Sequence, residues 1–101
     1  MKYRLTEAAR QDVRDILDHI RLSQKSPQNA RLVAARLKEQ FHRLAEMPQL
    51  GHPRPEIEDA AARVVHVSGL LVIYDAGLRP LTILRVIHGA RDLGRVDVRR
   101  Q

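Results

Sequence analysis

The apolar residues of this 101-residue chain change their spacing once, and that change decides the fold class. As far as Met47 they recur every three or four positions, the period of an amphipathic helix. From Arg63 onward they come in short β-branched runs broken by turn residues. Helices followed by closely spaced strands argue for an α+β domain, with a helical hairpin covering one face of an antiparallel sheet.

The segment 2–5 reads as an opening strand, with Tyr3 and Leu5 on one side. Thr6 is placed to cap the helix that follows, and Glu7 puts a negative charge in its first turn. Ala9, Val13, Ile16, Leu17 and Ile20 form the apolar stripe of a helix over about 7–22. Asp12, Asp15 and Asp18 fall between them at i, i+3, i+6, with Arg10, Arg14 and Arg21 alongside. That pattern reads as a solvated, ion-paired face rather than a metal site. Ser26-Pro27 supplies an N-cap with proline in the first turn of a second helix, and Ala30, Val33, Ala34, Leu37, Phe41 and Leu44 give its stripe. Pro48 stops that helix near Met47. Phe41, the one phenylalanine, is assigned to the core.

A connector over 48–62 carries Pro48, Gly51, Pro53 and Pro55, then Glu56, Glu58 and Asp59, and is expected to be ordered by packing. Three strands follow over 63–67, 70–75 and 81–87, with turns at Ser68-Gly69 and at 76–80. By strict alternation the last strand shows Leu81, Ile83, Arg85 and Ile87 on one surface and Thr82, Leu84 and Val86 on the other. Apolar residues on both surfaces make it central, and its second face requires cover, for which a partner is one source. The charged segment 90–101 reads as a tail with some freedom. No repeat or linker divides the chain, so residues 1–101 are expected to form one domain.

Composition narrows the chemistry. The chain has no cysteine, which excludes disulfides, thiol catalysis and cysteine-based zinc sites. A domain of this size buries roughly 65% of its unfolded surface, enough for a core without a metal or disulfide. No run approaches the ~18 apolar residues of a spanning helix and no apolar leader precedes the first strand, so the expected address is the cytoplasm. Eighteen Lys and Arg against twelve Asp and Glu give a net charge of +6, which favours acidic partners or nucleic acid. The five histidines, His19, His42, His52, His66 and His88, lack ligand spacing, so no metal and no cofactor is expected.

The remaining cluster is Arg85, His88, Arg91 and Asp92 around Gly89. A histidine beside arginines has the makings of a metal-free ribonuclease site, with the histidine as acid or base and the arginines on a phosphoryl transition state. Arg63, His66 and Tyr74 are placed to join it through the fold. The competing reading is structural: an Arg-Asp pair fixes a chain end, and a histidine at a strand terminus is often only surface. On the residues alone the structural reading ranks ahead.

In order along the chain stand Leu5-Thr6-Glu7-Ala8-Ala9 with Asp12-Val13 and Ile16, then Phe41 and Leu44 before Met47-Pro48-Gln49-Leu50-Gly51. Arg63 follows, then Leu71-Val72-Ile73-Tyr74, and finally Ile83-Leu84-Arg85-Val86-Ile87-His88-Gly89-Ala90-Arg91-Asp92. This ordered set resembles the ParE/RelE toxins of type II toxin–antitoxin systems, and the ParE branch in particular. The resemblance implies a cognate acidic antitoxin, with any promoter DNA contacted only indirectly through it. It implies DNA gyrase as the target in the ParE branch, and the ribosome with messenger RNA in the RelE branch. An inactive homologue that acts only as a binding partner is a third possibility. Were the chain a nuclease, Arg63, Arg85, His88 and Arg91 would carry the catalysis; as a binder, Arg85, His88, Arg91 and Asp92 are the target-contact candidates. RelE members commonly have a lysine-rich connector and a tyrosine after the last strand. Here no lysine follows Lys38 and the last tyrosine is Tyr74, which favours the gyrase reading.

Overall fold

Thr6 is where the first strand turns into the first helix, and its side chain serves both. In a computed structural model, which describes residues 2–89 and 93–101 of the chain, Thr6 Oγ1 accepts from the Ala9 N–H at 3.0 Å and donates to Leu84 O at 2.8 Å. The cap starts α1 (Glu7–Asp18) directly behind β1 (Tyr3–Leu5). α1 ends in a wider π-helical turn, His19–Ser23, so the sequence-derived helix over 7–22 is α-helical only to Asp18. Ser26 Oγ caps α2 (Pro27–Glu46) through the Asn29 N–H, with Pro27 in the first turn, as its sequence signals indicate.

The connector contributes a two-residue strand, β2 (His52–Pro53), which the proline-rich sequence concealed. β3 (Ala62–Val67), β4 (Leu70–Asp75) and β5 (Leu81–His88) form the antiparallel meander. The sheet order is β1-β5-β4-β3-β2. β1 runs parallel to β5, with Tyr3 opposite Leu81 and Leu5 opposite Ile83, so the sheet is mixed rather than wholly antiparallel. The helical hairpin between β1 and the meander is what lets a strand from the N-terminus enter in that direction.

The register of β5 also departs from strict alternation. Ile73 pairs with Arg85 but Tyr74 pairs with Ile83, leaving Leu84 as the extra residue of a bulge. A bulge switches the face of everything beyond it. Leu81, Ile83 and Val86 therefore share the helix-side core with Tyr3, Val72, Tyr74, Leu37, Phe41 and Leu44. Leu84 and Ile87 lie on the opposite face with Val64, Leu71 and Ile73. β5 is central, as both its faces suggested.

That opposite face is covered by the chain itself. Ile57 of the connector and Leu93, Val96 and Val98 of the tail pack on it. Cover by a partner, one source allowed by the sequence, is not needed there. The tail is held as well as packed: Arg100 donates to Asp59 and Asp75, and the Glu7 N–H donates to Gln101 O at 2.8 Å. Among the described residues every buried side-chain nitrogen and oxygen has a partner, and no helix is long and apolar enough to cross a membrane.

Candidate functional site

β1 covers only the first three residues of β5, so beyond Ile83 the outer edge of β5 would be bare. Side chains from the start of α1 close it. Thr6 takes Leu84 O, and Asp12 Oδ2 accepts from the Val86 N–H at 3.0 Å. The same carboxylate holds Arg85 in a two-point pair, with Nε to Oδ2 at 2.6 Å and Nη2 to Oδ1 at 2.9 Å. Arg85 also donates to Asp97 O in the tail, 3.3 Å away. Its side chain is 23% exposed and that of Asp12 15%. The Asp12 hydrogen bonds push the already high pKa of Arg85 higher still. Asp12 is thus not the solvent-facing residue its spacing suggested; it ties α1, β5 and, through Arg85, the tail.

Arg63 is committed elsewhere. Its Nε donates to Gly51 O at 2.9 Å, and the neighbouring Tyr74 hydroxyl accepts from the Gly51 N–H at 2.8 Å while donating to Pro48 O at 2.7 Å. Together they pin the connector to the sheet. A Cβ on Gly51 would sit 2.6 Å from Val64 O and 2.7 Å from the Tyr74 hydroxyl, so only glycine fits there. Tyr74 itself is fully buried.

His88 ends β5 in the open. It borders a recess of about 270 Å³ with Asp15, Ile16 and His19, and a second of about 230 Å³ that runs past Ile20 and Val33 to Ser68 and Leu70. His88 pairs with Leu70, whereas Arg63 pairs with Tyr74 four residues along β4. That separates them by about 13 Å along the strand, besides two strand spacings across it. His66 is exposed opposite Leu71, whose side chain lies on the tail-side face. Arg91 and Asp92 lie outside the described residues. The structure therefore brings Arg85 to Asp12, Arg63 to the connector and His88 to α1, and does not gather Arg63, Arg85 and His88 around one reactive point. Among the described residues no cluster of His, Asp or Glu is arranged to hold a metal ion.

Sequence reasoning passed over Arg4 and assigned Arg10 and Arg14 to an ion-paired face, whereas Arg10 donates to Leu5 O and Arg14 to Gln11 Oε1. Arg4, Arg10 and Arg14 line a recess of about 540 Å³ with Tyr3, Leu5 and Val13. The i, i+4 spacing of Arg10 and Arg14 signalled a shared face; only the fold shows that this face borders an edge strand.

The five-stranded mixed sheet carries one helical hairpin, and an exposed histidine ends its inner strand β5. The solved structure described as "Chromosomal ParDE TA system from P. aeruginosa" superposes with a TM-score of 0.72 at 22% identity, over 89% of this chain and 97% of that one. The family described as "ParE toxin of type II toxin-antitoxin system, parDE" matches residues 3–93. The chain belongs to this ParE toxin family. Among curated proteins none matches it.

Proposed function

We propose that this chain is a growth-inhibiting toxin of the cytoplasm that acts by binding and inhibiting DNA gyrase, and that a cognate acidic antitoxin neutralises it. The family match over residues 3–93 supports the toxin assignment. What favours inhibition by binding over RNA cleavage is the disposition of the arginines. A metal-free ribonuclease must aim several cations and an acid–base group at one phosphate. Here Arg85 is held by Asp12 and Arg63 by Gly51 O, so His88 stands apart from both. A surface that grips a protein target needs no such convergence. His88 and the two recesses beside it, with Arg91 and Asp92 next in sequence, are the proposed target-contact region. Promoter DNA would be reached only through the antitoxin.

The test is a supercoiling assay with purified gyrase and the purified chain, run beside a ribosome-dependent mRNA cleavage assay. Loss of supercoiling without cleavage is the expected result. Cleavage of ribosome-bound mRNA with unaffected gyrase would sink the proposal and return Arg63, Arg85, His88 and Arg91 to catalytic duty. Inactivity in both assays, with no growth arrest in cells, would leave a homologue that only binds.

A further inference from the structure

α1 and its π turn sort their charges by face. Asp12 is committed to Arg85 and the Val86 N–H, and Asp15 borders the His88 recess. Arg10, Arg14 and Arg21 instead follow one another along a single stripe, with Leu17 between the last two. The 540 Å³ recess lies at the start of that stripe, where Arg4 of β1 stands across from Arg10 and Arg14. Further along, Leu17 and Arg21 border a recess of about 210 Å³ with Ala30, Arg31 and Ala34 of α2. Five arginines therefore flank a path that leads from the edge of the sheet up the seam between the helices. From Arg10 to Arg21 alone, at a rise of ~1.5 Å per residue, it runs about 16 Å.

These cations are weakly compensated. Arg4 donates to Arg100 O, Arg10 to Leu5 O and Arg14 to Gln11 Oε1, all neutral oxygens. Arg31 has no carboxylate partner among the described residues, and Arg21 shares Asp18 on an exposed surface. Arg54, Arg85, Arg99 and Arg100, away from the path, sit on carboxylates. Glu7 is the single acid bordering the path.

The spread of the guanidiniums selects the ligand. They do not converge on one point, so a lone phosphate would meet one or two of them. A phosphodiester chain, charged at every residue, meets them in turn, and the guanidinium fork suits each phosphate. The aromatic residues then decide between one strand and two. Single strands are gripped by stacking bases on exposed rings. Here Tyr3, Phe41 and Tyr74 are the only such rings, and all are buried. Between the arginines lie Val13 and Leu17, whose side chains have nothing with which to read a base edge.

We infer that this arginine path binds the phosphate backbone of duplex nucleic acid without reading its sequence. The inference goes beyond the inhibition of gyrase and does not rest on it, since the contact is with nucleic acid alone. It also differs from promoter recognition, which needs base contacts.

The experiment titrates the full purified chain, with no other protein present, into labelled DNA duplex, RNA duplex and single-stranded DNA, read by fluorescence anisotropy over a range of salt. Duplex should bind with a dissociation constant of roughly 10–100 µM at physiological salt, tightening as salt falls, with a log–log salt slope of about −4 for the five cations. Similar affinity for both duplexes supports a backbone contact, and a preference for one assigns the natural ligand. Arg10→Gln/Arg14→Gln should lower the slope to about −2 and weaken binding about tenfold or more at low salt. Arg54→Gln/Arg99→Gln, which removes the same charge elsewhere, should bind like the parent. In the unmodified chain, duplex should move the amide resonances of Arg10, Arg14, Arg21 and Arg31 and leave that of His52 in place. The inference is overturned by an absence of duplex binding at low salt, or by tighter binding of the single strand. Equal losses in the two double variants, which would assign the effect to net charge, overturn it too, as do resonances of the path that stay still.

Discussion

A carboxylate has about four acceptor positions, and Asp12 uses three of them on the Val86 N–H and the Arg85 guanidinium. Asp12→Ala strands a sheet amide and a mostly buried cation together. The expected loss is about 2–4 kcal/mol in urea unfolding. Asp12→Asn, which keeps an acceptor for Val86, should lose less. An Asp12→Ala protein as stable as the parent would show that water replaces the carboxylate at no cost. Tyr74→Phe removes both the acceptor of the Gly51 N–H and the donor to Pro48 O. It should cost about 1–3 kcal/mol and speed exchange of the Gly51 amide. The sequence could not disclose the role of Asp12. Its spacing with Asp15 and Asp18 tells which residues share a helix face, not what the fold sets opposite them. Arg85 is 73 positions away. The Arg-Asp pair of the competing structural reading, Arg91 followed by Asp92, lies outside the described residues, and the pair the fold does show joins Arg85 to Asp12.

At the scale of elements, the sequence showed the helices and the meander because caps and periodicity are local. Thr6, Ser26-Pro27 and Pro48 set helix ends whatever lies around them. The bulge at Leu84, the parallel entry of β1 and the cover over the second sheet face were hidden because each depends on residues distant in sequence. The tail is the clearest case. Its composition is charged, yet Leu93, Val96 and Val98 pack inward and Arg100 bridges Asp59 and Asp75. The Arg100 hydrogen bonds hold the Asp59 carboxyl below its ordinary range. A depressed folded-state pKa means this carboxylate adds stability above its unfolded pKa of about 3.9, and that the gain is lost as pH falls through the lower folded value. Arg100→Ala should therefore be less stable than the parent at pH 7. The two should converge below about pH 4, and pH-dependent urea midpoints read this directly. A gap between them that stays constant from pH 7 to pH 2 would assign the effect of Arg100 to packing rather than charge.

For the whole molecule, two surface regions stand out by their geometry. The end of β5 presents His88 beside open recesses, and the edge of β1 presents Arg4, Arg10 and Arg14 around another recess. On the proposed reading the first meets the target. His88→Ala, at an exposed position, should leave stability within about 0.5 kcal/mol. It should weaken gyrase inhibition only partly, whereas a nuclease that relied on His88 as its acid or base would lose about a hundredfold or more in rate. The most direct measurement of the central claim is pulse labelling of DNA and protein synthesis in the first minutes after the chain is induced without antitoxin. The account expects DNA synthesis to fall first while protein synthesis continues. An immediate collapse of protein synthesis, with DNA synthesis following later, would contradict it.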